Sequence, residues 1–533
     1  MSESPTIGHD LEATEPRKTG GLAAIISRNI VASLARVVAV SLVSLVLPAY
    51  LTHHLPVQTY AAWILILQLA AYVSYLDLGI QTGVAKFVAE YDAKGELDGA
   101  GRHASAGAAL MVFTGLLGLV LSLVLAWQVP RLFATMPATL FHDVRISLIL
   151  VGTSLSFGLV CSVCSAIFLG LQRYWIPMTL HVVNRALFAA IILSVVAFHG
   201  SLAVMGVAAA LVNVVTGGLQ VFAWRKKASH IRLSVRLVEY RVLKNVARFC
   251  TYQSIWTVGM LCVTGLDVTI VGHYDYIQTA YYSIATLPTS FVLLIVSSIL
   301  SPLMPASSAL STQRSPAEMG DILARITRYG TMILLLTGLP LIVCGLPILR
   351  LWVGQAYALH TIQYLRILVL ANVIRSLCQP YATMVSATGR QRSATAAAVC
   401  EAVVNLGSSI YLASRFGAIG VAFGTLLGSF VSVGLHFAIT MHYTHSTLAI
   451  SRSRLLLKGL VRPAVIALPS LAMIPLWWSS SVAMGLPLAM IWGLSTLLIA
   501  WFGSLNWDER RRLVDLGANF FGLRSKLNAG KVL

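Results

Sequence analysis

Charge is what this sequence has least of. Only 11% of its 533 residues are Asp, Glu, Lys or Arg, against 57% hydrophobic, and the mean hydropathy is +0.80. A water-soluble fold of this length needs far more polar surface, so the bilayer is the solvent. No long polar stretch separates the apolar runs between residues 25 and 503, which leaves no room for a soluble domain. Acids are scarce, 19 against 38 bases. The resulting +19 sits in short connections and not on a folded basic face, which points to membrane headgroups and excludes a nucleic-acid partner. The seven cysteines lie within or at the ends of apolar runs, and the single C-x-x-C, Cys161 with Cys164, has no second Cys or His pair to complete a metal site. A P-loop, an HExxH and a nucleotide-sugar motif are absent too. No catalytic residue, metal ligand or cofactor is therefore expected, apart from a coupling H+ or Na+. The polar start, with Glu3, Asp10, Glu12 and Glu15 ahead of Arg17 and Lys18, does not read as a cleavable signal peptide, whose charged start is basic.

What is present is a succession of apolar runs, each about 20 residues long and able to cross a ~30 Å hydrocarbon core. They predict helices near 26–50, 60–85, 104–127, 144–169, 177–198, 202–224, 249–272, 279–304, 328–349, 361–388, 393–413, 418–441, 462–478 and 482–503. Helix is the expected form because backbone groups in lipid must be satisfied within their own segment, and the runs exceed the length of barrel strands. Most Lys and Arg then fall on one side, with Arg131, Arg145, Arg350 and Arg415 on the other. That asymmetry predicts a multi-pass protein with both termini cytoplasmic. The fold class is all-α integral membrane with about fourteen transmembrane helices.

Sliding the chain by about 220 residues aligns Gln58-Thr59 with Gln278-Thr279, Arg131-Leu132-Phe133 with Arg350-Leu351-Trp352, and Gly170–Arg173 with Gly389–Arg392. Val183-Asn184 falls on Val404-Asn405, and Gly206-Val207-Ala208 falls on Gly420-Val421-Ala422 after a short slip. The expected organisation is a tail at 1–24, a six-helix lobe at 25–225, a basic linker at 226–248 and a second lobe at 249–441. A loop and a helical hairpin follow at 442–503, then an amphipathic tail at 504–533. Six helices per unit is an even number, so the copies are parallel repeats enclosing a cleft.

Leu76-Asp77-Leu78-Gly79 followed by Val84-Ala85-Lys86-Phe87 resembles the polysaccharide flippases, the Wzx-type O-antigen exporters. Leu351–Tyr357, and the stretch from Ala387-Thr388-Gly389-Arg390 through Asn405 to Gly420–Thr425, are similar to the same family. That superfamily also holds the multidrug extruders and the lipid II flippases. The resemblance covers roughly 25–445 and implies two lobes that alternate between inward and outward openings in a bacterial inner membrane. It also implies an undecaprenyl-diphosphate-linked oligosaccharide as substrate, with membrane lipids and other polysaccharide-assembly proteins as partners. A cation-coupled multidrug extruder and a peptidoglycan-precursor flippase are the alternatives. A membrane-embedded polymerase or ligase ranks behind them, because the outer connections are short and the longest, near 128–143, carries one acid, Asp143.

Seven charges fall deep in the apolar runs: Arg36, Asp77, Arg185, Asp267, Arg366, Arg375 and Glu401. Each costs roughly 2.5 kcal/mol or more at mid-bilayer, so each calls for a partner or a hydrated cleft. Arg185, Arg375 and Arg36 are the candidate substrate-binding residues, since a permanently charged fork of donors suits phosphate oxygens. Asp77, Asp267 and Glu401 are the coupling or gate candidates. Structural pairing, Arg36 with Asp77 or Arg375 with Glu401, is the competing reading. Arg366, near a span end, is expected to snorkel, and Pro288 and Pro380 are expected to bend their helices.

Overall fold

Apolar length sets the elements, and small residues set how closely they pack. The computed structural model describes residues 41, 43–300, 303–311, 313–388, 391–470, 482–507 and 509–511, and among these it is helical with no strand. The main helices are α1 Val57–Tyr75, α2 Ile80–Ala93, α3 Leu97–Leu132, α4 Phe141–Gly170, α5 Trp175–Ala197, α6 Leu202–Lys227, α7 Tyr240–Met260 and α8 Asp267–Tyr274. They continue with α9 Gln278–Leu300, α10 Leu303–Ser311, α11 Pro316–Val343, α12 Gly345–Ser376, α13 Gln379–Ala387, α14 Gln391–Phe416 and α15 Ala418–Leu435. Among the described residues, ten spans are long and apolar enough to cross a membrane, or eleven if α7 and α8 form one bent span. These eleven coincide with the second to twelfth predicted helices. The predicted helices at 26–50 and 462–478 lie partly outside the described residues, as does Arg36. The last one appears as Val482–Ile499 continued to Ser504.

Two boundaries differ from expectation. The segment at 351–357 is helical: α11 ends at Val343, and α12 begins at Gly345 and kinks at Gly354, whose φ of +85° lies in the left-handed region that glycine tolerates. The basic linker is shorter than 226–248, because α6 runs on to Lys227 and α7 starts at Tyr240. Proline behaves as its chemistry requires. Pro380 opens α13 just past the break at Leu377-Cys378, where its missing N–H costs nothing, whereas Pro288 sits inside α9.

Helices α1–α6 pack on one another as a first bundle, and α9 with α11–α15 as a second. Glycine permits the close approaches. A Cβ on Gly206 of α6 would lie 2.5 Å from Ser147 Oγ on α4, and one on Gly424 of α15 would lie 2.3 Å from Ser409 Oγ on α14.

The apolar cores show how the bundles meet. At the end bearing the 133–137 and 275–277 turns, one continuous core runs through both bundles, joining Tyr60, Trp63 and Phe133 to Tyr276, Tyr282 and Tyr357. Tyr276 Oη donates to the Gln58 carbonyl across that seam at 2.6 Å. Toward the opposite end the core divides. Val84, Val88, Ala104 and Phe168 belong to one cluster, while Leu323, Tyr381, Met384 and Met441 belong to another. The bundles are thus fused at one end and parted at the other.

The C-terminal segment docks on α11 through Ile466, Trp492 and Leu505 against Met332, Leu339 and Val343. Glu509 accepts hydrogen bonds from Tyr329 Oη at 2.6 Å and from the Asn506 amide at 2.9 Å, and it pairs with Arg328. Burial alone lifts the Glu509 carboxyl, but these bonds and the Arg328 and Arg325 charges outweigh it and hold the group below its ordinary value. A depressed folded-state value means that the docking is fully supported above the ordinary carboxylate range and is lost as pH falls through the folded-state value. Acidification from pH 7 toward 4 should therefore lower the melting temperature of the native protein more steeply than that of Glu509→Gln. Parallel curves would show that Glu509 does not hold this segment.

Candidate functional site

A charge at mid-bilayer needs polar surroundings, and a broken helix, with its freed backbone groups, helps to supply them. After α7 the chain makes a π-helical turn at Leu261–Gly265, and α8 starts afresh at Asp267. α7 and α8 meet at 40°. Asp267 is thereby the first residue of a new helix, where exposed amides and the helix dipole favour a negative group.

The carboxyl of Asp267 is 6% exposed. Its Oδ2 accepts from Thr425 Oγ1 of α15 at 3.2 Å and from Tyr282 Oη of α9 at 3.4 Å. Its Oδ1 has no hydrogen-bond partner among the described residues. The charge that acts on it is the Arg375 guanidinium.

Arg375 does not stand free. Its Nε lies 2.9 Å from Glu401 Oε1, with both side chains largely buried. The Nε–H is not aligned on that oxygen as a hydrogen bond, and Arg375 Nη2 has no hydrogen-bond partner among the described residues. The two groups attract as charges without the bidentate geometry that would lock them. Along α14, Glu401, Asn405 and Ser409 follow at intervals of four and share one face. Asn405 and Ser409 are fully buried, and Asn405 Nδ2 is unpaired among the described residues. The second bundle thus holds a polar core: two carboxylates, one guanidinium and several neutral oxygens and nitrogens, with bonding capacity to spare. Carboxylate oxygen beside hydroxyl and amide oxygen is chemistry that suits a proton or a hard monovalent cation.

The remaining charges lie apart from this core. Asp77 stands at the break between α1 and α2, where its Oδ1 accepts from the Gln81 amide at 3.2 Å and its carbonyl accepts from Ile80. That is a helix cap at a turn. The turn itself needs Gly79, with φ of +80° and α7 so close that a Cβ would lie 2.2 Å from Gln253 Cγ. Arg185, on α5 in the first bundle, is exposed on the protein surface and makes no hydrogen bond or ion pair among the described residues. Arg366 reaches the Ile342 carbonyl at 3.2 Å. The sequence reading singled out Asp267, Arg375 and Glu401, and the structure brings them into one bundle. It missed Tyr282, Asn405 and Thr425, neutral residues that carry no signal in an apolar helix. It also missed the Arg328–Glu509 pair.

The family model described as MatE matches residues 257–411, which contain Asp267, Arg375, Glu401 and Asn405. No curated protein sequence matches the chain. Solved structures match it at full probability. An inward-facing multidrug resistance MATE family transporter of the MOP superfamily is 14% identical, with TM-score 0.64 over 77% of this chain and 99% of that one. The lipid II flippase MurJ in an inward closed conformation is 14% identical, with TM-score 0.68 over 88% of this chain and 97% of that one. An outward-facing MATE transporter is 15% identical, with TM-score 0.56 over 80% and 96%. The chain has the fold of these transporters.

Proposed function

We propose that this chain is a flippase that carries a diphosphate-linked oligosaccharide lipid across the cytoplasmic membrane, driven by H+ or Na+ taken up at Asp267. The fold supports transport by rocking of two bundles. The excess of Lys and Arg favours the cytoplasm for the parted end, and we read the structure as an inward-facing state, in keeping with a TM-score of 0.64 to an inward-facing MATE transporter against 0.56 to an outward-facing one. The substrate class rests on one observation: Arg185, a permanent cation midway along α5, is exposed on the first bundle and without a partner among the described residues. A diphosphate leaving water needs such a group, whereas a cationic drug would be repelled by it.

Arg185→Ala should cut transport of the lipid-linked oligosaccharide roughly 100-fold, with membrane yield and melting temperature unchanged, and Arg185→Lys should retain part of the activity. The assay is leaflet access of a labelled lipid in vesicles, matched by accumulation of lipid-linked repeat units inside cells. Normal export by Arg185→Ala would end the phosphate reading. It would favour the alternative of a multidrug or peptidoglycan-precursor carrier, which the same fold accommodates.

A further inference from the structure

The break before α8 frees a backbone carbonyl, and the first bundle takes it. Gly265 O accepts from Gln68 Nε2 at 2.6 Å and from Tyr72 Oη at 3.1 Å. Gln68 and Tyr72 are four apart on α1 and so share a face. Tyr72 Oη also pairs with Thr269 Oγ1, one turn into α8. Glycine eases this approach, because a Cβ at 265 would stand 3.1 Å from Tyr75 Oη, also on α1. Both atoms of the second bundle's span that are gripped from α1 flank Asp267, two residues to either side.

We infer that Gln68 and Tyr72 are positioning residues that latch α1 to the broken span, hold the fused end of the bundles shut, and transmit the state of Asp267 to that seam. Three facts support this. The grip crosses the interface between bundles, unlike the hydrogen bonds of Thr425 and Tyr282, which lie within the second bundle. It engages a carbonyl whose direction depends on the π-turn, so any straightening of the span withdraws the acceptor. Finally, both gripped residues, Gly265 and Thr269, lie two positions from Asp267. A cation or proton on Asp267 changes the charge at the hinge, and the latch is a polar link from there to the other bundle. This extends the proposed function, since it rests on the bundles rocking about this seam, but it holds for any substrate.

Spin labels at Ala134 and Leu351, both exposed at the fused end and on different bundles, report the opening directly in reconstituted full-length protein. Gln68→Leu with Tyr72→Phe should raise the long-distance population roughly tenfold, the scale of its three lost hydrogen bonds at the low end of their net worth. Each single change should do less, with little shift in melting temperature. Varying Na+ from zero to saturating, or pH from 8 to 6, should move the distances in the native protein, and this response should be lost in the latch variant. Unchanged distance distributions in the variant would overturn the latch, as would an undiminished ion response. If the variants open as described while no lipid-linked sugar is carried by the native protein, the latch stands and the flippase reading fails.

Discussion

Replacing Asp267 by Asn should abolish ion-driven transport, by roughly 100-fold or more, and yet leave the protein at least as stable as the native one. The carboxylate is buried with one oxygen unpaired among the described residues, and both of its hydrogen bonds come from neutral hydroxyls. Asn keeps the shape and the acceptor for Thr425 and Tyr282, and it removes a charge whose only cationic influence among the described residues, Arg375, is already paired with Glu401. An orphaned buried polar group costs about 1–3 kcal/mol, and more when charged, so exchanging the charged orphan for a neutral one moves stability up while function goes down. Retained charge at that cost indicates work done by the charge. Ion-gradient-driven uptake in vesicles beside thermal unfolding in detergent tests both halves. A variant that is destabilised and still active would show the carboxylate to be structural.

The second large effect is expected at Arg375 and Glu401. Removing one partner leaves a bare charge in the bundle, a loss of about 3–5 kcal/mol. Arg375→Ala and Glu401→Ala should each accumulate poorly in the membrane, whereas Arg375→Leu with Glu401→Leu should recover yield, since two apolar side chains replace a matched pair. The rescued double variant then separates two roles. If it folds and carries substrate, the pair is a structural tie. If it folds and is inert, Arg375 also serves transport. A double variant that accumulates no better than the singles would mean that the two charges do not answer each other.

The spans were legible because bilayer thickness imposes a length that composition reveals, and eleven predicted runs lie on observed ones. The breaks were less so. Gly354 and the π-turn at Leu261–Gly265 are made of residues that occur throughout these helices, and only neighbouring helices decide which of them bend. The same limit applies to the site. Asp267 and Glu401 stand out because a carboxylate in an apolar run has a solvation cost visible from the sequence. Thr425, Asn405 and Gln68 have almost none, since Ser, Thr and Asn satisfy themselves on their own helix carbonyls, as Ser429 does on Thr425. Arg375 was read both as a ligand and as a tie to Glu401; spacing along one helix does not say which helix faces it. Glu509 was hidden by distance, since its partner lies 181 residues away.

The span that breaks at Gly265 also bears on how the chain can be divided. Its first half, α7, follows the linker and would be assigned to the second repeat, yet Val242, Val246 and Cys250 complete the core of the first bundle. Its second half, α8, packs with α14 and α15. The linker in the sequence is therefore not the seam in space. A gene cut at the linker, near residue 233, would yield a first fragment with an unfilled apolar groove and a second carrying the missing helix. The two should be insoluble or degraded when made separately and should assemble when made together.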